Sequence, residues 1–270
     1  MTTTPQRIAL YGSPHSPFVA RVRLALEEAQ ADYHTVFFDL DERPQWFFDN
    51  VNPAGKVSIS TPQFNLAPPR PELTACSRDQ VPTIVYGSSP DAPPEKPTPE
   101  SAKIAESLVL LEFVADLHPN ANLLPRDPVL RAKARLFIRK LDEKFQSAFL
   151  ALLFDKDGGA EVLELLVELQ NELPPTGYVF GDWSIADAAF VPMVAAVGIV
   201  AKTGRGYFRD VDGGKLTQEL AAPRFERLRE YMRINKERPS FDVSYPEASA
   251  DGEFVAIKWV KRFAKPADKM

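Results

Sequence analysis

Residues 11–29, YGSPHSPFVARVRLALEEA, break off a short apolar run at a glycine and two prolines and then start a helix. Ser16 stands directly before Pro17, and proline suits the first helical position, where its missing N–H is no loss. Ser16 therefore reads as the N-cap, its hydroxyl oxygen taking a free N–H of the first turn. A hydroxyl at the positive end of a helix that follows a strand is also placed to hold an anion, and local sequence leaves both readings open. His15 is adjacent, but with no identifiable carboxylate partner it gives little support to a Ser–His nucleophile pair.

Outward from this helix, the first half alternates short apolar runs with helical patterns. Residues 7–12 read as a strand, 17–30 as the helix, 33–40 as a second strand, and 83–87 and 102–107 as two more, with a helix following directly. This order predicts a compact mixed sheet covered by helices. Two stretches, 58–80 and 88–101, are rich in proline and polar residues and lack any period, so they read as long surface loops or insertions.

Beyond residues 119–128, which hold three prolines, only helical patterns remain. Leu130, Ala134, Phe137, Leu141, Phe145, Ala148 and Leu152 keep steps of three and four and form one apolar stripe. Residues 161–173, 224–236 and 253–263 repeat the pattern more weakly. The expected division is a mixed domain over 1–118, a linker over 119–128 and an all-helical domain over 129–270. In WSIADAAFVP (183–192), Ser184 and Asp187 have capping-box spacing ahead of an all-round apolar helix, which must be buried. This is a structural role for Asp187.

Composition narrows the class. Charged residues make up 26% and apolar ones 44%, the balance of a globular protein, and the net charge of −5 gives no electrostatic reason for a nucleic-acid or anionic-membrane partner. Cys76 is the only cysteine, which excludes an internal disulfide and a two-cysteine redox motif. The run Ile185–Ala201 contains Asp187 and Pro192 and falls short of the roughly 20 residues that cross a bilayer. The N-terminus lacks the pattern of a secretory signal, and a cytoplasmic protein is the expectation.

A second helix start, Glu106-Ser107, closes the fourth strand. Its hydroxyl and free N–H groups suit a carboxylate, and Glu106 suits an ammonium group; side by side these match an α-amino acid end, although the pair is also what an ordinary N-cap looks like.

These pieces in this order resemble the cytosolic glutathione transferases, most closely the omega class. SPFVARVRLAL (16–26) is similar to the omega active-site helix, ERPQWFFDNVNPAGKV (42–57) to the stretch after the second strand, VPTIVY (81–86) to the cis-proline strand, and ESLVLLEFVADLHPNANLLPRDP (106–128) to the glutathione-binding helix and linker. WSIADAAFVP is similar to the capping box of the helical domain. The resemblance implies an α+β thioredoxin-like N-terminal domain followed by an all-α C-terminal domain, glutathione as co-substrate, no metal, and a homodimer. It also implies site residues: Ser16 at the thiol, Phe18 lining the site, Arg43 toward the glycyl carboxylate, Val81 before a cis Pro82 for the cysteinyl part, and Glu106 and Ser107 for the γ-glutamyl end.

Two departures stand out. Omega enzymes generally carry cysteine where this chain has Ser16, and they pass directly from the NP.GKVP segment into the strand, whereas here about two dozen residues intervene. The chain is similar to serine-bearing fungal forms. The implied activity is conjugation of electrophiles or peroxide reduction by a bound glutathione thiolate, with little thiol-transferase activity. The alternative is a ligandin-type protein that sequesters aromatic small molecules. Phe137 and Trp259 are examples of apolar residues able to line a second-substrate cleft, although most such residues at helical spacing are core, and Cys76 reads as an incidental thiol.

Overall fold

In a computed structural model the described residues are 6–14, 16–39, 43–53, 81–154, 158–204 and 212–244. Cys76, His15, Trp259, the 58–80 stretch and the helix expected over 253–263 lie outside them. The first part is a four-stranded mixed sheet of order β2-β1-β3-β4, made of β1 (Ile8–Gly12), β2 (Tyr33–Phe37), β3 (Thr83–Tyr86) and β4 (Ala102–Ala105). β1 runs parallel to β2, pairing Gly12 with Phe37, and antiparallel to β3, pairing Tyr11 with Thr83. β3 and β4 are antiparallel, with Thr83 opposite Ala105. Every residue of β1 is buried, which is why it reads as an unbroken apolar run. β2 ends at Phe37, earlier than the apolar run suggested, though Phe38 N–H still donates to Gly12 O at 3.1 Å.

Helix α1 (Pro17–Glu28) packs beside α2 (Ser107–Leu117). Between β2 and β3, Phe47–Val51 form a short wide turn in which Asn52 N–H donates to Phe47 O at 2.7 Å. The helical C-terminal part comprises α3 (Pro128–Phe154), α4 (Gly158–Gln170), α5 (Ile185–Thr203), α6 (Gly213–Ala221), α7 (Glu226–Lys236) and α8 (Pro239–Ser244). The fold is thus the expected thioredoxin-like sheet followed by helices.

The α3 stripe is buried from Ala134 to Leu152, but Leu130 at its head is 38% exposed and lies outside the core. Phe137 is 1% exposed and packs edge-on against Phe180 and Phe190. It is a core residue, as most apolar residues at helical spacing are, and does not line a substrate cleft.

α5 is longer than the apolar run implied. It spans 19 residues and by length and composition could cross a membrane, yet 83% of its apolar window is buried inside the protein, which makes it the central core helix. The capping box is present: Ser184 N–H donates to Asp187 Oδ2 at 2.9 Å. Asp187 also accepts from Val179 N at 3.0 Å and from the Tyr231 hydroxyl at 2.9 Å, so one carboxylate ties the start of α5 to the preceding loop and to α7. Burial pushes its pKa up to about 6, against the opposing pull of these hydrogen bonds.

Helices α6 and α8 were not evident from periodicity. α6 starts with two glycines behind Asp212, whose side chain accepts from Lys215 N at 2.9 Å. A Cβ on Gly213 would lie 2.6 Å from the Cα of Gly204, so the bare backbone lets α6 abut the C-terminal end of α5.

Candidate functional site

Of the predicted site residues, Ser16, Val81, Pro82, Glu106 and Ser107 meet at one end of the sheet. Gly12 closes β1 there, and a Cβ on it would lie 2.5 Å from Val19 Cγ2 and 3.5 Å from Val81 Cβ. That close approach brings the first turn of α1 and the Val81-Pro82 peptide, which is cis, against the end of β1. The β3–β4 ladder ends at the pair Thr83–Ala105, so Pro82, directly before β3, and Glu106, directly after β4, leave the sheet at the same end. Ser16, Val81, Pro82, Glu106 and Ser107 therefore lie together, although up to 91 residues of sequence separate them.

Ser16 is the N-cap of α1, with an extended backbone (φ −80°, ψ 122°) and Pro17 at the first helical position. Its Oγ accepts from Val19 N–H at 3.4 Å, and the side chain is 5% exposed. An oxygen that accepts from the helix keeps its own proton for another acceptor. The cap and the anion-holding role are thus compatible.

The start of α2 differs from an ordinary cap. Glu106 occupies the N-cap position at φ +75°, in the region that side-chain-bearing residues rarely adopt, and makes no side-chain cap bond. The first N–H groups of α2 therefore take no acceptor from the N-cap side chain, and a helix start of this kind suits an anion. Ser107 is 8% exposed and its Oγ accepts from Arg21 Nη1 at 3.2 Å, which leaves its proton to donate outward.

Arg21 is the residue that sequence reading missed. It is 0% exposed and donates to Ala189 O at 3.1 Å, Ser107 Oγ at 3.2 Å and Asp142 Oδ1 at 3.0 Å, tying α1 to α2, α3 and α5. Burial lowers its pKa, with Asp142 opposing the shift. Its guanidinium lies over the half-buried Phe18 ring, 5.1 Å from the centroid. A signal was present: Arg21 falls on the apolar stripe of α1, three residues from Phe18 and from Leu24 and four from Ala25, where a solvated charge does not belong.

Arg43 lies on the other flank, beyond β2. Its guanidinium sits over the ring of Phe48, 5.5 Å from the centroid, and so leans on the Phe47–Val51 turn. Trp46, at the start of that turn, packs edge-on against Tyr11 of β1 and against Phe38. Among the described residues there is no cluster of histidine, cysteine, aspartate and glutamate able to hold a metal ion.

A family model described as the glutathione S-transferase N-terminal domain matches residues 15–117. In sequence the chain is 26% identical to a probable glutathione S-transferase of Nicotiana tabacum, over 87% of this chain and 89% of that one. It is 27% identical to the pyrimidodiazepine synthase of Drosophila melanogaster over 56% of this chain, a match that spans about half (47%) of that relative's length. In structure it is similar to glutathione transferase Omega 2S of Trametes versicolor solved with 2,4-dihydroxybenzophenone, at TM-score 0.78 and 35% identity, covering 95% of this chain and all of the other.

Proposed function

The chain belongs to the omega-class glutathione transferases, and from that premise we propose that Ser16 supports catalysis by hydrogen-bonding the glutathione thiolate. The observation that carries the proposal is the geometry of Ser16: a capping hydroxyl at the head of α1, whose first turn meets Val81 around Gly12, with its proton uncommitted to the helix. The thiolate is the nucleophile, and a free thiol titrates near 8.5. A helix N-terminus contributes about 0.3 to 1 kcal/mol to a nearby anion and a hydrogen bond to a charged group about 1.5 to 3 kcal/mol. After subtracting the weaker bond to the neutral thiol, about 2 to 3 kcal/mol remains, which at 1.36 kcal/mol per unit brings the thiol to about 6.5.

Around that thiolate, the α2 N-terminus and the Ser107 hydroxyl take the γ-glutamyl carboxylate and Glu106 takes its ammonium. The Val81 backbone pairs with the cysteinyl unit as a strand edge pairs with an extended peptide, Arg43 takes the glycyl carboxylate, and Phe18 lines the pocket. In conjugation the sulfur lone pair forms the C–S bond while the leaving group departs with its electron pair. In peroxide reduction two glutathiones supply the electrons and end as their disulfide, giving an alcohol and water. A serine oxygen has no route into thiol–disulfide exchange, so thiol-transferase activity is slight.

Replacing Ser16 with Ala should raise the pKa read from the pH dependence of conjugation by one to two units and lower turnover at pH 6.5 and saturating glutathione about tenfold. Turnover and pH profile unchanged from the parent refute the role of the hydroxyl. Ser16→Cys should gain reduction of a mixed glutathione disulfide.

A second reading, ligand sequestration, is favoured by the dihydroxybenzophenone held by the similar Trametes protein. It predicts saturable binding of aromatic ligands with no turnover across a panel of electrophiles. For the homodimer, the support is an exposed groove of about 450 Å³ between α2, α3 and the head of α5, lined by Leu108, Val109, Ile138 and Ile185 and by the charged Glu112, Arg135, Arg139, Asp142 and Glu143. An apolar lining together with charges of both signs suits a self-complementary contact.

A further inference from the structure

The proline-rich stretch 88–101 is held to the rest of the protein from Ser89 to Glu95. Pro90, Pro93, Pro94, Pro97 and Pro99 have no N–H, so the stretch is poor in backbone donors and offers mainly carbonyls. The rest of the protein supplies the donors. Arg7 Nη1 reaches the carbonyls of Pro90 at 3.1 Å, Ala92 at 3.2 Å and Ser89 at 3.4 Å. The Tyr11 hydroxyl donates to Pro94 O at 2.8 Å, and Asn50 Nδ2 donates to Glu95 O at 2.8 Å. Within the stretch, Thr98 N–H donates to Ser88 Oγ at 3.0 Å, Lys96 N–H to Pro93 O at 2.9 Å, and Pro97 is buried.

Two of these anchors belong to the neighbourhood of Arg43. Asn50 lies in the Phe47–Val51 turn, whose Phe48 carries the Arg43 guanidinium on its ring. Tyr11 packs edge-on against Trp46, at the head of the same turn, with ring centroids 6.2 Å apart. Carbonyls of successive residues, Pro94 and Glu95, are thus tied to the sheet through Tyr11 and to the turn through Asn50. The fixed φ of the prolines keeps the stretch stiff, so it can hold one against the other at little further entropy cost.

We propose that residues 88–101 are a brace that positions the Arg43–Phe48 turn for recognition of the glycyl carboxylate, which makes Asn50 and Tyr11 positioning residues for the glycine end of glutathione. This rests on the placement of Arg43 in the proposed function. A brace of this kind acts on one end of the co-substrate, so its signature is selective. It affects glutathione but not γ-glutamylcysteine, which lacks the glycyl unit, and it affects KM but not kcat.

The test uses the full chain with both thiols as co-substrates. Asn50→Ala and Tyr11→Phe should each raise KM for glutathione about threefold, the worth of one modest hydrogen bond. Both should leave kcat and the KM for γ-glutamylcysteine at the parent values. In an Arg43→Met background, which itself removes the preference for glutathione, Asn50→Ala should add nothing. If Arg43→Met removes that preference and Asn50→Ala and Tyr11→Phe do not weaken it, the brace is wrong and the placement of Arg43 stands. If Arg43→Met leaves the preference intact, the placement of Arg43 is wrong and the brace falls with it. Equal losses with both thiols mean general loosening of the fold, which also overturns the proposal.

Discussion

Arg21 and Asp142 allow an unequal pair of mutational effects to be predicted from their exposure and hydrogen bonding. The Arg21 side chain is 1% exposed and that of Asp142 is 46% exposed, with 3.0 Å between Nη1 and Oδ1. Arg21→Met removes the buried charge together with its three hydrogen bonds. What remains is tolerable: Asp142 turns to water, Ser107 keeps its hydroxyl proton, and the Ala189 carbonyl lies within helix α5. Each bond to a charged group is worth about 1.5 to 3 kcal/mol, but a desolvation penalty of several kcal/mol disappears with the charge, so the net loss should be about 1 to 2 kcal/mol. Asp142→Ala instead leaves a fully buried guanidinium without its carboxylate. Removing one member of a buried pair costs about 3 to 5 kcal/mol, and the partial exposure of Asp142 places this case at the lower end, about 3 kcal/mol. The more exposed partner should therefore be the more damaging one to remove. Urea unfolding with unchanged m-values measures both variants, and the double variant should return to the level of Arg21→Met alone. If Asp142→Ala proves no worse than Arg21→Met, the guanidinium is not sitting in a poorly solvated site and the reasoning fails.

Asp187, with its pKa pushed from the ordinary 3.8 up to about 6, binds a proton more tightly in the folded state than in the unfolded chain. Its contribution to stability is present in full below about pH 4 and is lost as pH rises through about 6, a fall of up to about 3 kcal/mol. In Asp187→Asn this pH dependence should vanish, at the expense of a baseline lower by about 2 kcal/mol, because an amide cannot accept from Val179 N, Ser184 N and Tyr231 together; denaturation midpoints from pH 4 to 7 measure both effects. At the α2–α3 groove, Val109 is 53% exposed, and Val109→Glu should convert the proposed homodimer to a monomer in light scattering without altering the helix content of the chain; a monomeric parent or a dimer that persists excludes this face.

Much of the N-terminal half was legible because its signals are local. The serine–proline head of α1 and the short apolar runs of β1 and β3, like the capping box at Ser184 farther along the chain, each depend on residues within about four positions, and the structure shows each of them. The order of these pieces was enough to indicate the family. Where the reading erred, the missing information was tertiary. Phe137 and Leu130 share one helical stripe, but only Phe137 meets rings from other elements, while Leu130 meets solvent. Helix α6 hides behind Gly213, a residue demanded by the approach of another backbone.

The sequence by itself determined the chemistry available at Ser16, since a hydroxyl can hold a thiolate and cannot exchange a disulfide, whatever the surroundings. Only the tertiary structure decided which residues stand behind it. Arg21 bonds to Ser107, Asp142 and Ala189 across 86, 121 and 168 residues, and the carbonyls of Pro94 and Glu95 find Tyr11 and Asn50 across 83 and 45. A buried charge and a donor-poor loop state only what they lack. The partners that satisfy them are set by which helices and strands pack together, and that is a property of the whole fold.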